Sequence, residues 1–415
     1  MNEATRNYVC QHVDEDVRML ALRGSKDEEV DITIALQQIQ GRQIARTKLP
    51  SWAVIDGILY PPHLNMEQCS SEQTALYKAD VCQRLLEGLE GPTSLVDLTG
   101  GFGVDFAWMS EAFSEATYVE QNSELCAIST NNFNILNRHV ELLNTDGTDY
   151  LCQVHHVTMI FLDPARRDNH GARTYGISDC TPTVLEIKEK LLQKADFVML
   201  KLSPMLDWHK AVSDLGEHYI KEVHIVSVQN ECKELIVVLS AKCLVLGDSG
   251  MKVTCTNILA DNSCELFEFS PSAHHSSLNT TATPHLTLNT SHFIYEPNAS
   301  IMKAGCFAEV EKAFGIHHLA PNSHLYTSNQ LVDHFPGRIF QITSVSSMNK
   351  QELKSALQGI RQANIAVRNF PMSVVELRKK LKLGDGGETY IFATTLGEGK
   401  HIFIICKKLN SVNSH

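Results

Sequence analysis

What this chain lacks narrows it first. Its 415 residues contain no run approaching the ~18 apolar residues of a membrane-spanning helix. The opening MNEATRNYVCQHVDEDVRML lacks the basic-then-apolar layout of a secretory signal. There are twelve cysteines, yet no two are separated by only two or three residues. The close pairs that hold zinc or iron–sulfur clusters are therefore missing, so neither a metal nor cluster-based radical chemistry is expected. Reduced thiols are the expectation. Net positive charge is lacking too: the formal charge is −12, which argues against uniform coating of nucleic acid. With 43% hydrophobic and 20% charged residues, the chain is neither disordered, collagenous nor a disulfide scaffold. What remains is a soluble, cytoplasmic globular protein of about two to four folding units.

The apolar pattern changes along the chain. The first fifty residues read as helices, with Val13, Val17 and Leu20 at helical spacing. VIDGILY, residues 54–60, carries the Asp-Gly signal of a hairpin turn. Ser70 and Gln73 match a capping box that opens a helix with Tyr77, Val81 and Leu85 on its inner face. From Ser94 to Ser240, six apolar runs (SLVDL, ATYVE, VTMIFLD, DFVMLKL, VHIVSV and ELIVVLS) alternate mostly with helical stretches. That alternation predicts an α/β fold with a mostly parallel, doubly wound, Rossmann-like sheet. The last two runs read as an antiparallel pair. Residues 270–292, rich in Ser, Thr, His and Asn, read as a linker. Small α+β modules follow. Ser373 and Glu376 form a capping box, and TYIFATTL and HIFIICKKL are two strands. The expected divisions are an N-terminal helical segment at 1–58, the α/β domain at 59–270, a linker at 271–284, and modules at 285–340 and 345–415.

The sharpest motif is VDLTGGFGVDF, residues 96–106. A buried strand ends at Asp97, and glycines at 100, 101 and 103 turn the chain into a helix while letting backbone approach a ligand. Phe106 stands where a dinucleotide pattern needs its third glycine, which argues against NAD or FAD. Glu120 ends the next strand, 23 residues after Asp97, and can accept two ribose hydroxyls. Asp146 follows a third strand near 140–143 and can take an adenine amine. Asp163-Pro164 follows the fourth strand, where acceptors can hold an amine and aim its lone pair. Arg166 and Arg167 can bind a substrate phosphate or carboxylate. Lys201 closes the fifth strand, where it either meets a substrate phosphate or stands in solvent.

Together these residues resemble the class I S-adenosylmethionine-dependent methyltransferases. EQCSSEQTALYK, DLTGGFG, LDPARRD, YEPNASIMKAG, HFPGR and ANIAVRNFP resemble one bacterial family more closely, over nearly the whole chain. That family joins an N-terminal helical segment to a methyltransferase domain, a ferredoxin-like module (here 285–340) and a THUMP-like domain (here 345–415). The catalytic part is also similar to RNA cap guanine-N2 methyltransferases, in which a segment like SSEQTALYKA touches the cofactor; by position this implicates Thr74. The resemblance implies that Asp97, Gly101 and Gly103 line the methionine end of S-adenosylmethionine, Glu120 its ribose and Asp146 its adenine. Asp163-Pro164 matches the start of the amino-methyltransferase motif. Ala165 and Arg166 replace its second proline and aromatic ring, so that stacking platform for a flipped base is missing.

Charge distribution bears on the substrate. From Ser346 to His415 there are 11 Lys and Arg against 5 Asp and Glu, a surplus of six on an otherwise acidic chain. Arg361, Arg368, Arg378, Lys379, Lys380 and Lys382 crowd within it, and Arg378, Lys379 and Lys382 are the expected RNA contacts. The expected activity is methylation of an amine of an RNA base. A protein or small-molecule substrate is the first rival, and a non-catalytic RNA-binding or cofactor-sensing protein is the second. The basic module argues against the first, and the intact set Asp97, Glu120 and Asp163 against the second.

Overall fold

The structure is a computed structural model that describes residues 1–166, 176–241, 250–271, 288–320, 322–396 and 399–409. Most of the expected linker, and Arg167, lie outside the described residues; so does the side chain of Arg166. Two compact units emerge: Met1–Val223 with Glu234–Met251, and His224–Lys233 with Lys252–His415. No helix among the described residues is long and apolar enough to cross a membrane.

In the first unit, each early helix starts on a side chain that accepts from its otherwise orphaned N–H groups. Asn2 opens Glu3–His12, Asp16 opens Val17–Arg23, and Asp31 opens Ile32–Lys48. Val9, Leu20, Ala35 and Ile39 from these helices form one buried cluster. The hairpin expected at 54–60 does not form. Leu59 exchanges backbone hydrogen bonds with the Asn132 side chain (2.8 and 2.9 Å), and Tyr60 does so with Gln38 (2.9 and 2.8 Å). Two buried amides thus satisfy the backbone that a partner strand would have paired.

The sheet of this unit is built from β1 (Ser94–Asp97), β2 (Glu115–Val119), β3 (Glu141–Leu143), β4 (Val157–Leu162) and β5 (Ala195–Leu202). The last two expected runs are also strands, β6 (Ile220–Val228) and β7 (Glu231–Leu239), of which Ile220–Val223 and Glu234–Leu239 belong to this unit. β1 lies between β2 and β4, β3 flanks β2, and β5 flanks β4, all parallel; β7 pairs with β5 antiparallel. Helices Val104–Met109, Ser123–Ile135, Gly147–Gln153 and Val184–Lys194 make the connections. Strand order reverses between β1 and β4, so the carboxyl ends of these two strands mark the crevice where such sheets bind ligands.

In the second unit, β8 (Lys252–Ile258) and β9 (Cys264–Phe269) are antiparallel. A seven-stranded sheet follows, made of β10 (Phe293–Pro297), β11 (His317–His318), β12 (Tyr326–Ser328), β13 (Gly337–Ser347), β14 (Asn364–Arg368), β15 (Thr389–Thr395) and β16 (His401–Leu409), in the order β11-β12-β10-β13-β16-β15-β14. β13 pairs with β10 on one side and β16 on the other. The two modules expected at 285–340 and 345–415 therefore share one sheet through an 11-residue strand that crosses their boundary. Along β16, Ile402, Ile404 and Cys406 enter one buried cluster while Phe403 and Ile405 enter another, the period-two alternation of a sheet covered on both faces. The Ser373–Glu376 capping box is present and opens Val374–Leu381.

Candidate active site

The turn after β1 is held by its own polar groups. Asp97 is buried, and its Oδ1 accepts from the Thr99 amide at 2.8 Å. Gly101 has φ +56° and its amide donates to Glu120 Oε2 at 2.8 Å. A Cβ at Gly101 meets nothing closer than 3.7 Å, whereas at Gly103 (φ +79°) it sits 2.6 Å from the Phe133 ring. Gly103 is thus required by packing and conformation, while at Gly101 the space beside the chain is open to an approaching group. Glu120 Oε1 accepts from the Asn122 amide at 2.7 Å. Each carboxylate oxygen can accept two bonds, so one position on each remains.

Asp146 begins Gly147–Gln153, its Oδ1 accepting from the Thr148 amide (2.7 Å), the Asp149 amide (3.2 Å) and the Thr148 hydroxyl (2.5 Å). These bonds, led by the Thr148 hydroxyl, hold its carboxyl below the usual range. Its neighbour Gly147 lies against the backbone of Leu98, where a Cβ would be 2.1 Å from the carbonyl oxygen. Asp146 therefore stands beside the glycine turn while serving as a helix cap.

Thr74, expected at the cofactor, is 1% exposed. Its hydroxyl donates to the Ser71 carbonyl at 3.1 Å, and its amide to the Ser71 hydroxyl at 3.3 Å, so it closes the first turn of Glu72–Leu86. The helix cap is Ser71, one residue later than expected. Ser70 is taken elsewhere: its hydroxyl lies 2.7 Å from Asp105 Oδ2 and 3.1 Å from Glu234 Oε1.

Asp163 sits just beyond β4. Its amide donates to the Thr99 hydroxyl at 2.6 Å, joining the fourth strand end to the glycine turn. Pro164 is buried. Ala165–Arg166 pairs antiparallel with Cys180–Thr181. Asp163 Oδ2 accepts from Lys201 Nζ at 2.6 Å, and 40% of its side chain remains exposed. Lys201 is only 10% exposed and also reaches Asp105 Oδ2 at 3.3 Å. This corrects both expectations for Lys201: it is neither a solvent lysine nor a free phosphate binder, because two carboxylates hold its ammonium.

Sequence reasoning missed the rest of this cluster. Lys78 is fully buried, 3.1 Å from Asp105 Oδ1, and paired with Glu234. The signal was a lysine four residues after Thr74 on an apolar helix stripe, facing the acid that opens the run ELIVVLS. Burial pushes the Asp97 carboxyl well above the usual range. At Asp105 burial acts the same way, but Lys78 and Lys201 outweigh it and the carboxyl ends below that range. Asp163 is raised by burial against the pull of Lys201, with Asp105 and Glu234 adding to the rise. The ammonium of Lys201, which Asp97 lacks, makes that rise smaller than the one at Asp97. Lys201 is held well above the usual lysine value, because Asp163, Asp105 and Glu234 outweigh its desolvation.

In the second unit, the basic cluster is divided. Arg378 donates to the carbonyls of Ala363 (3.1 Å) and Gly384 (2.6 Å) and pairs with Asp385 (2.6 Å), so it braces the turn after its own helix and is not an open RNA contact. Lys379 and Lys382 are exposed, as are Lys380 and Arg361. Arg368 pairs with the buried Glu296 at 2.6 Å, and Arg338 Nε donates to the other oxygen of Glu296 at 2.7 Å. YEPNASIMKAG, HFPGR and ANIAVRNFP thus meet in one Arg–Glu–Arg triad. Among the described residues, no group of three or more His, Cys, Asp or Glu could hold a metal ion.

A family model for a ferredoxin-like domain matches residues 293–336, and one described as THUMP domain-like matches 337–408. The chain is similar to the crystal structure of a candidate methyltransferase from Porphyromonas gingivalis W83, with 29% identity and a TM-score of 0.82 over 98% of each chain. A candidate class I S-adenosylmethionine-dependent methyltransferase from Listeria monocytogenes is 11% identical, with a TM-score of 0.37 over 58% of this chain and 88% of that one. No curated protein sequence matches. The chain therefore carries ferredoxin-like and THUMP-like domains and shares its fold, over nearly its whole length, with the candidate methyltransferase from Porphyromonas gingivalis.

Proposed function

We propose that this protein is a cytoplasmic S-adenosylmethionine-dependent methyltransferase that methylates an amine of an RNA base. The observation that carries the reading is the convergence of Asp97, Gly101, Glu120 and Asp163 on the carboxyl ends of β1, β2 and β4, tied together by the Gly101–Glu120 and Asp163–Thr99 hydrogen bonds. The methyltransferase description of the Porphyromonas structure, similar over the whole chain, supports it. The THUMP-like domain supports an RNA substrate.

The residues fit the cofactor. Open space at Gly101 admits a close approach, Glu120 has one further acceptor position on each oxygen that would suit ribose hydroxyls, and Asp146, next to the glycine turn, would take the adenine amine. When bound, S-adenosylmethionine supplies a methyl group on a positively charged sulfur. The chain's own task is to bring an acceptor nitrogen to Asp163 in near-attack geometry, which can contribute several kcal/mol. Asp163 accepts a hydrogen bond from the amine and so aims its lone pair. A ribose hydroxyl is the second acceptor to consider, because a carboxylate paired with an ammonium, as Asp163 is with Lys201, can also take a hydroxyl proton.

Mass spectrometry of nucleosides from total RNA, with and without this gene, tests the assignment. A methylated base that disappears with the gene supports the amine reading, and loss of a ribose-methylated nucleoside favours the hydroxyl. If no nucleoside changes and the purified protein methylates no RNA, the RNA substrate is wrong.

A further inference from the structure

We propose that Lys201, steadied by Asp105, is the positioning residue that fixes Asp163 as the ionised proton acceptor of the site. This deepens the methyl-transfer reading and rests on it. Lys201 is the last-but-one residue of β5, next to β4, and its ammonium bridges Asp163 Oδ2 (2.6 Å) and Asp105 Oδ2 (3.3 Å). Asp105 is braced in turn by Ser70 and Lys78, and Lys78 by Glu234. Taking an ammonium out of water is costly, and a lysine at a strand end could have avoided that by turning outward. Here it is buried to 10% exposure against an aspartate that itself remains 40% exposed. Asp163 gains from this a fixed rotamer, with Oδ2 occupied and Oδ1 left for an incoming group.

The charges around Asp163 suit proton acceptance. Lys201 and Lys78 face Asp163, Asp105 and Glu234, which leaves one net negative charge among the five. Asp97 lies at the neighbouring strand end, where burial favours its neutral form, and the Cys69 thiol near Lys201 is pushed up to about 11 and stays protonated. In the proposed step the acceptor nitrogen forms a bond to the methyl carbon. The carbon–sulfur bond breaks, and its electron pair stays on sulfur. The nitrogen then passes its proton to Asp163 Oδ1 and keeps the N–H electron pair. The net negative charge of the cluster is neutralised as that proton arrives.

The test uses the full chain labelled with carboxyl-13C aspartate, and Asp163→Asn assigns the Asp163 resonance. In Lys201→Met the Asp163 carboxyl should titrate at least ~1 pH unit higher, as expected when an opposite charge within hydrogen-bond reach is removed. Lys201→Arg should restore the wild-type midpoint to within a few tenths. Methyl transfer to RNA should fall at least about tenfold in Lys201→Met, with cofactor affinity measured by calorimetry unchanged. Should Lys201→Met fail to fold, Glu234→Gln, which removes a negative charge, should move the Asp163 midpoint downward. An unchanged midpoint in Lys201→Met, or in Glu234→Gln where only that variant folds, overturns the proposal whether or not RNA is methylated. A shifted midpoint in a protein that methylates no RNA counts against the substrate and leaves the positioning role standing.

Discussion

Replacing Lys78 by methionine tests how the buried cluster is balanced. Lys78 is fully buried and faces Glu234 and Asp105, whose side chains are 5% and 9% exposed. Methionine fills nearly the same volume, so little of the effect comes from a cavity. What changes is charge: three carboxylates then share one ammonium. Removing one partner of a buried ion pair typically costs about 3–5 kcal/mol, because the other charge stays buried. The double variant Lys78→Met/Glu234→Gln removes both members and should recover most of that loss, since a balanced pair contributes little net stability. Urea denaturation of the single and double variants gives both numbers. A pH series checks the sign. Asp105 is held below its usual value by the two lysines, so its contribution is present above about pH 4 and is lost as the pH falls through its lowered native value. Lys78→Met should therefore reduce the acid sensitivity of stability as well as the stability at neutral pH. A single variant that loses less than about 1 kcal/mol, or a double variant that loses as much as the two singles combined, would refute the reasoning.

Glu120→Ala should weaken S-adenosylmethionine binding by roughly 1.5–3 kcal/mol for each charge-assisted hydrogen bond to the ribose that it removes; calorimetry on a folded variant with unchanged affinity removes Glu120 from the site. Asp163→Ala should keep cofactor affinity and lose turnover, and a near wild-type rate on the true substrate disproves its role at the acceptor. Four exposed cations, Arg361, Lys379, Lys380 and Lys382, predict that RNA affinity falls with salt at a log–log slope of about −2.8, or −0.7 for each single-strand phosphate engaged. Reversing the three lysines to glutamate should flatten that slope, whereas Arg378→Glu should chiefly lower thermal stability; salt-independent binding contradicts the RNA surface. Glu296→Gln leaves Arg338 and Arg368 sharing a neutral partner and should lower the melting temperature of the full chain by several degrees without altering cofactor binding.

How much of this was legible beforehand depended on what kind of signal each feature leaves. Strand–helix alternation and the glycine turn are local and periodic; β1, β2 and β4 through β7 fall where the six apolar runs lie, and β3 lies where a strand was expected near 140–143. Ser373–Glu376 is likewise a four-residue signal, and it caps its helix as expected. The failures share a different cause. At 54–60 the Asp-Gly turn signal was sound, but the backbone it pointed to is satisfied by Gln38 and Asn132, 22 and 73 residues away. Ser70 looked like a cap until Asp105 and Glu234 claimed its hydroxyl.

The same logic explains why the lysines were misread. A lysine at a strand end, or on a helix among apolar residues, is locally compatible with solvent, since its long stem can carry the charge outward. Only the topology decides otherwise. β5 lies beside β4, so Lys201 ends next to Asp163; β7 lies beside β5, so Glu234 comes within reach of the helix that carries Lys78. An acid at the head of a buried run was itself the readable clue, because a carboxylate is rarely buried without a partner. Glu234 required a cation, and the stripe on Glu72–Leu86 offered only Lys78 at buried spacing. Pairing these two from sequence alone would have placed the helix against β7, with Asp105 on the same ammonium and Lys201 drawn in beside Asp163.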